Sequence, residues 1–186
     1  KGTGKWTVQQ AAELSVAIPT IVTSLEARFI SGIKEERKIA SEIYPYKKST
    51  YELSSEERRK LIKDVKSALY ASKICSYAQG MNLIRKKSEK ENWNLSLNKV
   101  AKIWKGGCII RAQFLDRISN AYHKNPELNS LLVDDYFIKE LKDREIAWRR
   151  IVSLAVNTGI SLPSMSASLS YFDSYRRQNV PANLVQ

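Results

Sequence analysis

A chain of 186 residues, 43% hydrophobic and 27% charged, has ordinary globular composition and enough length to bury one sizeable core. One histidine and two cysteines without metal-ligand spacing leave almost nothing for a metal cluster or a Ser/His/Asp triad, and no apolar run is long enough for a bilayer span. The formal net charge of +12 fits either an anionic partner or a merely basic, solvated surface.

Only 7 glycines and 5 prolines suit long helices with few turns. The chain starts at Lys1 rather than at methionine, so a longer polypeptide is expected. Lys1-Gly-Thr-Gly-Lys5 reads as a mobile loop whose backbone amides can approach an anion. Thr7-x-x-Gln10 fits a capping box and predicts a short helix to about Ser15. A loop, a helix N-terminus and two lysines make a phosphate cradle; a disordered terminus fits as well. The Gly-x-x-x-x-Gly-Lys-Ser/Thr loop of nucleotide-binding proteins is absent.

Pro19 at a first helical position predicts a helix from there to about Ile43, with Ile18, Ile21, Val22, Leu25, Phe29 and Ile33 as its apolar stripe. Arg28 lies at the edge of that stripe. It reads either as a solvated, snorkelling side chain or as a guanidinium waiting for an anion. Tyr44 to Leu53 is a basic loop with no assigned role.

The helix predicted from about Ser55 to Lys90 is the centre of the chain. Ser54 or Ser55 can cap it, Glu56 and Glu57 suit the dipole of its first turn, and no proline interrupts it. Leu61, Val65, Ala68, Leu69, Ser72 and Leu83 fall on one face, and Tyr70, Ile74, Tyr77 and Met81 on the opposite one. A helix apolar on two faces packs between neighbours, and the small Ala68, Ala71, Ser72, Ser76, Ala78 and Gly80 let those neighbours approach. A further long helix is expected from Lys99 to about Tyr122. It contains Gly106-Gly107, read as close packing against the central helix rather than as a break. Cys75 and Cys108, both in apolar helical context, read as free buried thiols. Asn125-Pro126 predicts a helix ending near Val133. Asp134 or Asp135 caps another to about Thr158, with Trp148 on its apolar side, and a last helix ends near Gln178, followed by an extended end.

One pattern recurs. Helix, Val16-x-Ile-Pro19-Thr20, helix returns as helix, Ile160-x-Leu-Pro163-Ser164, helix, 144 positions on, and the intervening helices are expected to pack between the copies. The fold class is therefore all-α, with long central helices, a duplicated helical unit and a single helical domain over 1–186.

Lys1-Gly-Thr-Gly-Lys-Trp-Thr7, Tyr70-Ala-Ser-Lys73, Ser76-Tyr-Ala-Gln-Gly80, Gly106-Gly-Cys-Ile-Ile-Arg111 and Pro181-Ala-Asn-Leu184 together resemble 6-phosphogluconate dehydrogenase, in that family's order and across nearly the whole chain. The resemblance is to most of the family's C-terminal, all-helical domain. It implies part of a cytoplasmic, homodimeric NADP-dependent enzyme that converts 6-phosphogluconate to ribulose 5-phosphate, carbon dioxide and NADPH. The family's Rossmann domain, which binds most of the NADP, its catalytic lysine and glutamate, and its C-terminal tail all fall outside the matched stretch. No catalytic residue and no metal ligand is thus expected here, and the stretch alone should be inactive. The resemblance assigns the substrate phosphate to Lys1, Thr3 and Arg28. Lys105 stands where many members have arginine. A non-catalytic helical dimerisation or interaction module is the alternative. Nucleic-acid binding is disfavoured because the basic residues are scattered and no recognition motif is present, and no membrane partner is expected.

Overall fold

The computed structural model describes residues 2–45, 52–107 and 113–185. Among these residues there are eight α-helices, two 3₁₀ turns and no strand, as an all-α reading requires. The helices are α1 (Gly4–Glu13), α2 (Pro19–Gly32), α3 (Lys34–Ile43), α4 (Ser55–Lys90), α5 (Leu97–Gly107), α6 (Gln113–Lys124), α7 (Asp135–Thr158) and α8 (Pro163–Tyr175). No helix among them is long and apolar enough to cross a membrane.

The chain forms two compact units. One comprises Lys1–Ile18 and Lys73–Asp143, the other Pro19–Ser72 and Arg144–Gln186. Helices α4 and α7 each contribute to both.

α4 spans the predicted residues because both ends carry their own stop signals. At its start Ser54 and Glu57 form a reciprocal capping box: Ser54 N donates to Glu57 Oε2 at 2.9 Å, and Glu57 N donates to Ser54 Oγ at 3.2 Å. The Ser54 hydrogen bonds hold the Glu57 carboxyl below its ordinary pKa. At its end Asn92 takes a left-handed φ of 55° and Trp93 N donates to Ser88 O at 3.0 Å.

In the first unit, Ile74, Cys75 and Met81 of α4 are fully buried with Leu115 and Ile118 of α6 and Phe137 of α7. Phe114 is central to this core, 5.0 Å from the Tyr77 ring and 5.6 Å from that of Phe137. The expected pairing of the central helix with the following one is thus carried by α6.

That following element is not one helix. α5 and α6 pack on each other, joined by Lys105 Nζ to both Asp116 oxygens at 2.8 Å and by Ser119 Oγ to Asn98 Oδ1 at 2.9 Å. Eleven residues of continuous helix would hold Lys105 and Asp116 about 16 Å apart, so α5 and α6 are two helices laid against each other. Close packing does not explain Gly106, since a Cβ there would meet no atom within 4 Å. The same holds for Gly80, so its small size is not what admits a neighbour. Gly107 and Cys108 fall where side chains are not described.

Other boundaries shift for local reasons. α1 begins at Gly4, not at Thr7, so Gly4 and Lys5 are helical and the Thr7–Gln10 box is not used; Thr7 Oγ1 instead donates to Thr3 O at 3.2 Å. The helix from Pro19 breaks at Gly32-Ile33, where Ile33 takes φ −90° and ψ 57°, and Arg37 reaches back to cap the carbonyls of Ile30 and Ser31 at 3.0 and 3.1 Å. After Asn125-Pro126 only a 3₁₀ turn forms, Leu131–Val133, because Asn125 Oδ1 accepts from Glu127 N at 3.1 Å and sets a turn instead. The chain end, expected to be extended, carries a 3₁₀ turn over Pro181–Leu184.

In the second unit Trp148 is fully buried, and its Nε1 donates to Met165 O at 3.3 Å. The first half of α4 buries a narrower line than expected: Leu61, Asp64 and Ala68 turn inward, whereas Val65 and Leu69 are exposed. Asp64 can sit on that line because Arg150 of α7 grips both its oxygens, at 2.8 and 2.7 Å.

The recurring pattern is a structural repeat. Val16 N donates to Ala11 O at 2.9 Å and Ile160 N to Ala155 O at 2.8 Å. The preceding residues are both left-handed, Ser15 at φ 52° and Gly159 at φ 69°. No helix separates α2 from α8, however. They pack directly, with Ser24 Oγ 2.7 Å from Ser164 Oγ. Small hydroxyl residues at Thr20, Ser24, Ser164 and Ser168 permit that approach, and Thr20 and Ser168 are buried.

Candidate anion-binding site

The sequence-predicted site residues fall on two stretches of the chain, its first three residues and α2. Lys1 lies outside the described residues. Thr3 is the N-cap of α1, in the first unit, and is exposed. Its backbone is already helical, at φ −77° and ψ −4°, and its hydroxyl makes no capping bond. An N-cap threonine ordinarily accepts from an amide of the first turn. Here the hydroxyl stays uncommitted, and the leading amides of α1 have no intrahelical acceptor. No acidic residue stands in that first turn to neutralise the dipole, and Lys5 adds a cation to it. The predicted mobile loop is thus largely the opening turn of a helix, which makes its amides a fixed array of donors.

Arg28 belongs to the second unit. It sits in the second half of α2, exposed, with no ion-pair partner among the described residues. Ser24 precedes it by one turn on the same helix face. Its five N–H donors are open to planar oxyanions.

Several other cations are already engaged. Lys105 is held by Asp116. Arg149 of α7 is bound by Glu145 and by Asp173 of α8, and Arg176 by the same two carboxylates. Burial raises the Glu145 pKa, but hydrogen bonds from Arg176 and Arg149 outweigh it and hold the carboxyl below its ordinary value. Asp173 is likewise lowered, chiefly by the Arg149 hydrogen bond. Lys73 stands over the Phe114 ring at 4.6 Å.

Two features escaped sequence reasoning. A groove of about 600 Å³ runs between the first half of α4 and α7, floored by Leu61, Ile151 and Leu154 and rimmed by Lys60 and Arg150. A cleft of about 130 Å³ lies between α6 and α7, lined by Arg117, Asn120, Lys124 and Asp134. The spacing of Arg117, Asn120 and Lys124 by three and four residues was a signal of one shared face. Among the described residues no cluster of three or more His, Cys, Asp or Glu could hold a metal ion.

Comparison with known proteins puts these residues in context. The family model for the 6-phosphogluconate dehydrogenase C-terminal domain matches residues 1–186. The chain is 61% identical over 188 residues to the 6-phosphogluconate dehydrogenase, decarboxylating 1, of Spinacia oleracea, and 60% identical over 190 residues to a chloroplastic counterpart of Arabidopsis thaliana. Each match covers 100% of this chain and 39% of the relative. A solved structure of Plasmodium falciparum 6-phosphogluconate dehydrogenase, described in apo form and in complexes with its cofactor NADP+ and its substrate 6-phosphogluconate, superposes with a TM-score of 0.93 at 44% identity, covering 100% of this chain and 40% of that one. With its whole length matched by the family model and its all-α architecture shared with a solved member, the chain belongs to the 6-phosphogluconate dehydrogenase family, as its C-terminal domain.

Proposed function

We propose that this chain is the substrate-binding helical part of an NADP-dependent decarboxylating 6-phosphogluconate dehydrogenase, which yields ribulose 5-phosphate, carbon dioxide and NADPH. The family match over residues 1–186 carries this reading. The chain spans about two-fifths of the length of the curated relatives, so the hydride and proton-transfer groups are assigned to the part of the enzyme that those relatives carry beyond the match. No strand occurs among the described residues, hence no βαβ unit among them. NADP is held chiefly by that other part.

This chain supplies the phosphate contacts. Lys1 contributes a point charge, Thr3 its uncommitted hydroxyl, and Arg28 a planar fork of donors. Binding the phosphate orients the sugar acid and leaves its reacting carbons to the other domain, so the chain's contribution is to positioning.

A homodimer completes the reading. Phe29 (62% exposed), Ile33, Ile39 and Ile43 (64% exposed) leave α2 and α3 with apolar side chains in solvent, as a surface awaiting a second copy would. Sedimentation of the chain as a clean monomer at high micromolar concentration would count against it. A cytoplasmic location is part of the proposal; related enzymes named as chloroplastic make a fluorescent fusion of the natural full-length protein the check.

Two measurements test the core of the reading. A titration of the ¹⁵N-labelled chain with 6-phosphogluconate should move the amide signals of Thr3, Gly4 and Lys5 and the side-chain signal of Arg28. The pure chain with NADP and 6-phosphogluconate should form no NADPH. Shifts elsewhere only, or measurable turnover, would overturn it.

A further inference from the structure

We infer that Ser24 and Ser164 are positioning residues for Arg28, an assignment that rests on the reading of Arg28 as a phosphate ligand. α2 is held to the second unit through its first half. Thr20 is buried, and Ile21, Val22, Thr23 and Leu25 are half-buried. Beyond Arg28 the helix has lost that support: Phe29 and Ile30 are 62% and 57% exposed. Arg28 therefore projects from the point at which α2 leaves its packing.

Among the described residues, the last interhelical polar contact before that point is Ser24 Oγ to Ser164 Oγ, at 2.7 Å. It joins residues 140 positions apart, from the two copies of the repeat. Ser24 Oγ also lies 2.8 Å from the carbonyl of Thr20, which it can reach as donor, leaving its lone pairs for the Ser164 hydroxyl. Ser164 stands in the first turn of α8, right after Pro163, where the backbone is fixed by the ring and by the turn. The contact thus ties the last packed turn of α2 to the first turn of α8. Ser24 and Arg28 share one face, about 6 Å apart along the axis. A change in the α2–α8 spacing at Ser24 is transmitted to the guanidinium through a single helical turn.

Neither serine needs to touch the ligand. Their effect should be seen only while Arg28 is present, and this separates positioning from general stability. The experiment is a double-mutant cycle on the chain, with the dissociation constant for 6-phosphogluconate read from ¹H–¹⁵N titrations and folding checked by thermal melting. Arg28→Ala should weaken binding about ten- to a hundredfold, and Ser24→Ala or Ser164→Ala about threefold, the scale of one net hydrogen bond. Adding Ser24→Ala to Arg28→Ala should cost nothing more, and Ser24→Thr, which keeps a hydroxyl, should bind more tightly than Ser24→Ala.

If Arg28→Ala weakens binding while both serine variants bind like the unmodified chain, the positioning role is wrong and the phosphate reading stands. If Ser24→Ala weakens binding equally in the Arg28→Ala background, the serine acts elsewhere and the inference falls. If Arg28→Ala binds normally, or the chain does not bind 6-phosphogluconate at millimolar concentration, the phosphate reading fails and this role with it. Should Ser24→Ala melt before the titration, Ser164→Ala carries the same test from the other helix.

Discussion

Arg149 of α7 holds Asp173 of α8 with both arms of its guanidinium, Nη1 to Oδ2 at 3.0 Å and Nη2 to Oδ1. Glu145 and Arg176 close the group into a four-membered network, and Arg176 stacks 4.8 Å from the Phe172 ring. Both carboxyls have depressed pKa values: Asp173 chiefly from the Arg149 hydrogen bond, Glu145 because the two arginines outweigh its burial. A carboxyl whose folded pKa lies below its unfolded one stabilises the fold above the unfolded value. That contribution is lost as pH falls through the folded value. The chain should therefore lose melting temperature steeply below about pH 4, the ordinary carboxylate range. Asp173→Asn should lower the melting temperature at pH 7 by a few degrees, about 1–2 kcal/mol after allowing for solvent screening. It should also flatten the pH dependence below about pH 4. Parallel curves for the two proteins would refute the assignment.

The repeat makes a prediction about stability. Ser15 and Gly159 occupy the same turn position, with φ of 52° and 69°. A left-handed serine pays a steric cost that glycine does not, partly offset by glycine's greater freedom in the unfolded chain. Ser15→Gly should stabilise the chain by about 0.5–1 kcal/mol, and Gly159→Ser should destabilise it by a similar amount. Chemical denaturation of the two variants decides this, and opposite signs are required.

Cys75 is fully buried on α4, and burial pushes its thiol pKa up to about 12. The thiolate is the reactive form, so iodoacetamide at pH 8 should leave Cys75 unmodified in the folded chain and alkylate it in denaturant. Peptide mass mapping reads the site directly. Labelling of Cys75 within minutes under native conditions would mean that this core opens far more readily than its packing implies.

For the substrate, the decisive comparison is Arg28→Lys. The charge is kept and the planar fork lost, so 6-phosphogluconate affinity should recover only part of what Arg28→Ala removes. In the complete enzyme the KM for NADP should hardly move in either variant. Full recovery by lysine would make Arg28 a point charge rather than a bidentate ligand.

Local signals were legible wherever they did not depend on distant residues. α4 was read to its ends because Ser54 and Glu57 cap each other three residues apart, and because Asn92 stops it. The start of α7 at Asp134 was readable for the same reason, its Oδ1 accepting from Tyr136 N at 3.1 Å. The break at Gly32-Ile33 was not, since one glycine in an apolar periodic run is tolerated in many helices and the capping reach of Arg37 has no sequence signature. Gly106-Gly107 announced two possibilities, and only the Lys105–Asp116 ion pair decides between them. At the candidate site, the identities of Thr3 and Arg28 came from family resemblance. That Thr3 leaves its hydroxyl free, and that Ser24 meets Ser164, are facts of conformation and of long-range pairing, beyond the reach of periodicity.

The two compact units are interleaved along the polypeptide. Each is assembled from two separated segments, and the chain crosses three times: between Ile18 and Pro19 at the start of α2, inside α4 between Ser72 and Lys73, and inside α7 between Asp143 and Arg144. Neither unit can be excised as one continuous piece, and isolating either one requires cutting both α4 and α7 in mid-run, where backbone amides are committed to the helix. Half-length gene fragments should consequently be insoluble when made separately, and of the three crossings a protease could clip outside a helix only at the turn before Pro19.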